Sequence, residues 1–299
     1  MLSAQSANAC ESRVRDFIEL TKPTVTLLVV LSSLTGMLLA GASIHPLIAI
    51  ISTIATASGS ASAAVFNMWY DLDIDAIMTR TQKRPLVRGS IHPDDAIVFS
   101  LILGIFAVSL MAAFVNYQSS LLLLFSILFY VVIYTMWLKR SSDQNIVIGG
   151  IAGSLPPIIG WISTGDSLRT LPIILFLLIF FWTPAHFWAL AIYRAQDYAS
   201  CAVPMLPVTK GIDYTKKQIF IYTILAVLTS SIPCLLQDAG LIYAVTAGCC
   251  GLRFFYLAYL LLKEEGFSYA MKLFLNSITY LFIILISLII DHYVFIPIA

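Results

Sequence analysis

The stretch Asn67-Met-Trp-Tyr-Asp-Leu-Asp-Ile-Asp-Ala-Ile-Met-Thr-Arg-Thr-Gln-Lys-Arg-Pro-Leu86 packs three aspartates, three basic side chains and a leading asparagine into a chain that is nearly chargeless before it. On a helix advancing about 100° per residue, Asn67, Asp71 and Asp75 recur every fourth position and drift by only ~80° around the axis, so they share one face. Asp73 points the other way. Oxygen donors stacked where a membrane helix meets water suit a Mg²⁺ that keeps some waters and takes the rest of its shell from a substrate phosphate. Arg80, Lys83 and Arg84 follow directly, placed to neutralise that phosphate. A solvated polar loop is the plainer explanation of an isolated Asp-x-Asp pair. The regular four-residue step, the asparagine at its head and the basic run at its tail favour the metal face instead.

Working outward, hydrophobic residues make up 60% of the 299 and charged ones 11%. A soluble domain carries about a quarter charged residues, so with a mean hydropathy of +0.91 the chain is read as a polytopic membrane protein. The net charge of +1 points to no class of partner, and no nucleic acid is expected. Five cysteines (Cys10, Cys201, Cys234, Cys249, Cys250) show neither CxxC nor Cys/His spacing, which argues against a disulfide framework and a zinc site. The first 22 residues mix acidic and basic groups without an apolar core, unlike a cleavable signal or an organellar presequence. Insertion by the first membrane helix, in a bacterial inner membrane, is the simplest expectation.

A membrane helix needs about 20 apolar residues. Pro23 to Tyr70 contains no Asp, Glu, Lys or Arg and has room for two, with a break at Gly41 to Pro46. Ala96 to Leu138 holds two more, broken at Asn116 to Ser120, and single spans follow at 144–163, 170–193, 217–237, 240–262 and 272–290. The expectation is an all-α bundle of nine transmembrane helices. Nine spans put the N-terminus and the loops after helices 2, 4, 6 and 8 on one side, and fifteen of the 17 basic residues fall there. Only Arg169 lies opposite, and Arg253 falls within helix 8. By the positive-inside rule that side is cytoplasmic. Residues 1–299 are read as one membrane-embedded domain, with 1–22 a cytoplasmic N-terminal segment and 67–94 and 194–216 the two long cytoplasmic loops.

The second loop opens Tyr193-Arg-Ala-Gln-Asp197 at the end of helix 6, as the first opens at the end of helix 2. That parity lets Asp197 and Arg194 face the first cluster, although a solvated, proline-rich loop accounts for the same residues. Within the spans, polar side chains are costly and usually have a partner. His186, three turns before Asp197, is open to three roles: iron ligand, hydrogen bond to a propionate, or partner for carbonyls freed by Pro184. Arg253 either neutralises an anion in a central cavity or snorkels. Pro156-Pro157 and Gly160-Trp161 should kink helix 5 and allow close packing, an architectural role. An acidic metal face, a basic tail and apolar helices together suggest chemistry on a lipid diphosphate, with Mg²⁺ stabilising the leaving group.

The motif N-x-x-x-D-x-x-x-D at Asn67–Asp75, the nine spans and the second acidic loop resemble the UbiA-type intramembrane prenyltransferase superfamily. Within it, D-x-D-I-D-x-x-M-x-R-T-x-x-R-P-L (Asp71 to Leu86) and D-Y-x-x-x-x-x-P-M-L-P-V (Asp197 to Val208) are similar to the branch that farnesylates protohaem IX. The resemblance implies a helical bundle around a central cavity open to the lipid. It implies farnesyl diphosphate and haem b as substrates, joined at a haem vinyl group with addition of water to give haem O. It also implies transfer of the product to a terminal oxidase or a haem A synthase. By position, it gives Asn67, Asp71, Asp75 and Asp197 to Mg²⁺ and catalysis, and Arg80, Lys83, Arg84, Arg194 and Lys210 to the diphosphate. His186 matches a histidine that the family places after proline, here with Ala185 interposed. Two rival readings are a prenyltransferase for another acceptor, a quinone precursor or chlorophyllide, and a lipid transporter. Against the transporter, no half-to-half repeat is evident and the acidic residues cluster at a membrane surface instead of the midplane.

Overall fold

The computed structural model describes residues 13–41 and 44–298. Cys10 and most of the expected N-terminal segment lie outside the described residues. Among those described the chain is helical, without strands. In chain order the helices are α1 (Arg13–Leu20), α2 (Pro23–Leu38), α3 (Pro46–Tyr70), α4 (Leu72–Ile77), α5 (Pro93–Phe114), α6 (Tyr117–Ser141) and α7 (Asn145–Ser163). After them come α8 (Thr170–Tyr193), α9 (Ala195–Ser200), α10 (Leu206–Thr209), α11 (Ile212–Leu235), α12 (Leu241–Lys263) and α13 (Ser268–Tyr293).

Helix boundaries follow local chemistry. Pro23, Pro46 and Pro93 each sit at a helix start, where a missing N–H costs nothing and φ is already helical. His45 and His92 cap α3 and α5 by accepting from the N–H of Leu47 and Asp94. Asn116 caps α6 through the Ser119 N–H at 2.8 Å, so the break falls at the predicted Asn116 segment.

Eight helices among the described residues are long and apolar enough to cross a membrane, namely α3, α5, α6, α7, α8, α11, α12 and α13. A ninth is reached only when α1 and α2, bent by 50° at Thr21-Lys22, are counted as one span. Several helices outrun their predicted cores. α11 begins at Ile212 in place of 217 and α13 at Ser268 in place of 272, because charged side chains at a span's edge can reach water or a partner along their own length. Lys216 thus lies inside α11, 2% exposed, with its ammonium donating to the Glu264 carbonyl at 2.8 Å.

The helices close into a ring. α2 packs on α3, α3 on α5, α5 on α6, α6 on α7, α7 on α8, α8 on α11, α11 on α12 and α12 on α13, and α13 returns to α2. Inside that ring α2 and α7 meet backbone to backbone. A Cβ at Gly36 would overlap the Pro157 carbonyl, and one at Gly160 would overlap the Ser33 carbonyl. This reciprocal pair is the close packing expected of the Pro156–Trp161 segment. The largest apolar core groups Trp161, Trp182 and Trp188 with leucines and isoleucines of α8, α12 and α13. Asp71, Lys139 and Arg194 stand at the C-terminal ends of α3, α6 and α8.

Candidate active site

The end of α3 carries Asn67, and the chain bends at Asp71 into α4, which holds Asp75. All three are buried, at 4, 0 and 3% exposure. The Asn67 amide donates to Asp71 Oδ2 at 2.6 Å, so the predicted face exists despite the break between α3 and α4. Asp73 lies on the opposite side as predicted, gripped by Arg140 through two hydrogen bonds of 2.7 and 2.8 Å. That hydrogen-bonded guanidinium holds the Asp73 carboxyl below the usual carboxylate range.

Buried carboxylates are stable only when paired, and the cations come from three separate elements. Lys139, at the end of α6, is bonded to Asp71, and Arg84, beyond α4, to Asp75. Lys22, at the head of α2, donates to Asn67 Oδ1 at 2.8 Å. Thr135 on α6 accepts from the Asn67 amide at 3.4 Å. It sits in Phe129–Leu138, wound as a π-helix, a winding frequent at functional sites. These side chains contact the acidic face directly, so its carboxylates and carboxamide are held in one ionic cluster. A cavity of about 220 Å³ lies beside it, lined by Asp73, Arg140, Ile74, Ile77 and Cys201 to Val203.

The second loop reaches the first. Asp197 accepts from the Thr79 hydroxyl at 3.1 Å, and Arg194 approaches the same carboxylate at 3.6 Å. Tyr198 is buried beside it, within electrostatic reach of Arg80, Arg84 and Arg194, and burial pushes its hydroxyl above the ordinary tyrosine range. It therefore stays protonated and able to donate.

Other predicted residues part from the cluster. Lys210 extends toward Asp143 at 3.9 Å and does not join the Asp71 group. Arg80 and Lys83 are exposed at the rim. Arg253, on α12, is exposed and makes no ion pair with a described residue. His186 is packed inside, stacked between Trp182 and Phe274 at 4.4 and 4.6 Å. Its Nδ1 shares a 2.7 Å hydrogen bond with the Ser277 hydroxyl. Lys22, Lys139, Arg140, Thr79 and Thr135 went unassigned in the sequence. The only signal for the first three was position, basic residues at the cytoplasmic ends of their helices.

Among the described residues two buried carboxylate oxygens have no hydrogen-bond donor: Asp71 Oδ1 and Asp197 Oδ2. Each instead has a guanidinium 3.6 Å away, Arg140 at Asp71 Oδ1 and Arg194 at Asp197 Oδ2, beyond hydrogen-bond reach. With the Asp75 carboxylate and the Asn67 carboxamide, the set is all oxygen, the preference of Mg²⁺. The donor type is that of Mg²⁺, while among the described residues no three carboxylate, histidine or cysteine side chains are grouped closely enough to hold a metal ion.

The helices and their paired acidic ends define an all-α membrane protein with one ionic site at the helix ends. The profile of the UbiA prenyltransferase family matches residues 29–283, and the chain belongs to that family. It is 52% identical over 279 residues to the protoheme IX farnesyltransferase of Rickettsia bellii (strain OSU 85-389), covering 93% of each chain. It is 48% identical over 281 residues to that of Orientia tsutsugamushi (strain Ikeda), covering 94% of this chain and 90% of the relative. Among solved structures, a digeranylgeranylglyceryl phosphate synthase superposes with a TM-score of 0.76 at 22% identity, over 94% of this chain and 99% of the other. A UbiA homolog from Archaeoglobus fulgidus bound to DMAPP and Mg²⁺ superposes with a TM-score of 0.71 at 16% identity, over 91% and 99%. At those identities the likeness concerns the fold.

Proposed function

We propose that this chain joins the farnesyl group of farnesyl diphosphate to a vinyl group of protohaem IX, with addition of water, giving haem O and diphosphate. The single observation that carries the diphosphate half is the buried Asn67–Asp71–Asp75 face, with an orphan oxygen on Asp71 and another on Asp197 across the joined loops. The haem acceptor is supported by identity near one half, over nearly the full length, to proteins named for that reaction.

In this reading Asn67, Asp71, Asp75 and Asp197 would hold Mg²⁺, which would neutralise charge on the leaving diphosphate. Lys139 and Arg84, now paired with the carboxylates, have the charge and reach to turn to phosphate oxygens. Arg80, Lys83 and Arg194 serve from the rim. Lys210 is the weakest member of the predicted set, since Asp143 already engages it. The allylic C–O bond breaks with its electron pair going to the diphosphate. The haem vinyl carbon then bonds to the farnesyl carbon, and water supplies the hydroxyl on the adjacent carbon with loss of a proton. Packed helices exclude bulk water from the ionic cluster and so favour transfer over hydrolysis. His186 is assigned to the haem, its ring fixed by Ser277.

We further place the protein in a bacterial inner membrane as one domain, with the site facing the cytoplasm, on the basis of its loop charges. Delivery of haem O to a terminal oxidase or haem A synthase is part of the same proposal. The test is mass spectrometry of haems extracted from cells expressing the wild type or Asp71→Asn. The expected result is a species heavier than haem b by one farnesyl group and one water, in the wild type only. Haem b alone from a well-expressed wild type overturns the haem reading and directs the search to quinone precursors or chlorophyllide.

A further inference from the structure

The cations around the site differ in one respect. Lys139 pairs with Asp71, Arg84 with Asp75, Arg140 with Asp73 and Arg88 with Asp16. Lys22 has no ion pair among the described residues; its ammonium meets only the Asn67 carboxamide, through Oδ1 at 2.8 Å. An ammonium only donates, so this contact also fixes which end of the amide faces it, and the Nδ2 end is turned to Asp71. Arg84 and Lys139 lie close enough to repel Lys22, and Asp71 and Asp75 close enough to attract it. Arg140 also approaches Asp71, at 3.6 Å, so Lys22, half-buried, is the basic group of this cluster that no described carboxylate pairs.

The backbone supplies a second observation. Lys22 has φ 47° and ψ 65°, the left-handed region that glycine enters freely and lysine does not. A residue ahead of proline is biased toward extended backbone as well, and Pro23 follows. This conformation makes the 50° bend between α1 and α2 and aims the side chain at the end of α3. Around it α1 is tied down: Arg88 bonds Asp16, Arg13 reaches Asp95 at 3.3 Å, and Phe17 packs edge-on against Phe99 at 5.0 Å. The chain therefore holds a strained lysine where a glycine would turn the corner more easily.

We propose that Lys22 is a diphosphate-binding residue that holds the Asn67 carboxamide oxygen until substrate arrives, then transfers its ammonium to the diphosphate and frees that oxygen for the metal. The proposal rests on the prenyl-diphosphate reading above and adds a coupling to it. The oxygen that Asn67 would offer a metal is the atom Lys22 now occupies, so metal and diphosphate reinforce each other's binding through one side chain.

The test uses the full chain in lipid nanodiscs, with inorganic diphosphate plus Mg²⁺ titrated by calorimetry and Mn²⁺ alone titrated by electron paramagnetic resonance. Lys22→Gly removes the ammonium while suiting the left-handed backbone, so the fold survives. Lys22→Gly should bind diphosphate at least about tenfold more weakly, and Lys22→Arg within about threefold of wild type, as expected for loss or retention of a charge-assisted contact. Mn²⁺ without diphosphate should bind Lys22→Gly as tightly as wild type or more tightly, because the Asn67 oxygen is released. Diphosphate affinity unchanged in Lys22→Gly but lost in Asp71→Asn overturns the role of Lys22 and leaves the broader reading standing. Weaker Mn²⁺ binding by Lys22→Gly overturns the coupling. A wild type that binds no diphosphate overturns both.

Discussion

The Thr79 hydroxyl donates to Asp197 Oδ1 at 3.1 Å, joining the loop after α4 to the loop after α8. Helix ends far apart in sequence thereby share one ionic site. A net hydrogen bond of this kind contributes about 0.5–1.5 kcal/mol. Thr79→Val should therefore lower kcat/KM for farnesyl diphosphate about 3- to 10-fold, and Thr79→Ser should restore it. Steady-state kinetics with varied farnesyl diphosphate checks both variants.

Asp71 and Asp75 are buried, and each is bonded to a cation from another part of the chain. Asp71→Asn and Asp75→Asn keep the shape and remove the charge. Loss of a pre-organised electrostatic group costs about 10²-fold or more in turnover, so each should reduce product by at least that factor in a protein that still inserts. EDTA should stop the wild type, with activity regained on adding Mg²⁺. Normal turnover in either variant would discard the metal assignment.

His186 separates two explanations cleanly. Its ring is clamped between Trp182 and Phe274 and bonded to Ser277, a setting that serves packing as well as haem contact. Removing a group that orients a ligand side chain typically costs about tenfold or more in affinity. A haem contact predicts that Ser277→Ala raises the KM for haem by about that factor, with the KM for farnesyl diphosphate unmoved. Equal changes in both constants, together with a lower melting temperature, would mark the histidine as packing.

Far from the site, Asp291 on α13 accepts from the backbone N–H groups of Gly240 and Tyr243 and so caps α12 from a neighbouring helix. A Cβ on Gly240 would collide with the Ile296 carbonyl, which shows how tightly this corner is built. Asp291→Ala leaves buried donors unpaired, at a cost of about 1–3 kcal/mol. Thermal unfolding in detergent should show the loss, while folded protein retains wild-type kcat.

What was legible in the sequence was what depends on short-range periodicity. Asn67, Asp71 and Asp75 could be placed on one face because a four-residue step is a property of a helix alone, and it survived the bend at Asp71. The spans were legible as uncharged runs, with errors at their edges, where α11 takes in Lys216 and α13 begins four residues before Lys272. Long-range choices were not legible. Whether Lys210 meets a diphosphate or Asp143, whether Arg253 faces inward, and which cation meets Asp71 depend on how whole helices rotate against one another. Lys139 and Lys22 carry no local mark that separates them from ordinary basic residues at a membrane surface.

The contact between α2 and α13 has a consequence for biosynthesis. Neighbouring hairpins such as α12–α13 can pair as soon as they leave the ribosome, since their contacts are local. The seam between α2 and α13 joins an early helix to a late one, so the earlier helix waits with that flank against lipid until the later one has been inserted. A chain stopped before α13 would leave that flank uncovered, together with the α12 corner that Asp291 caps, and would offer quality-control proteases a marker of incomplete synthesis.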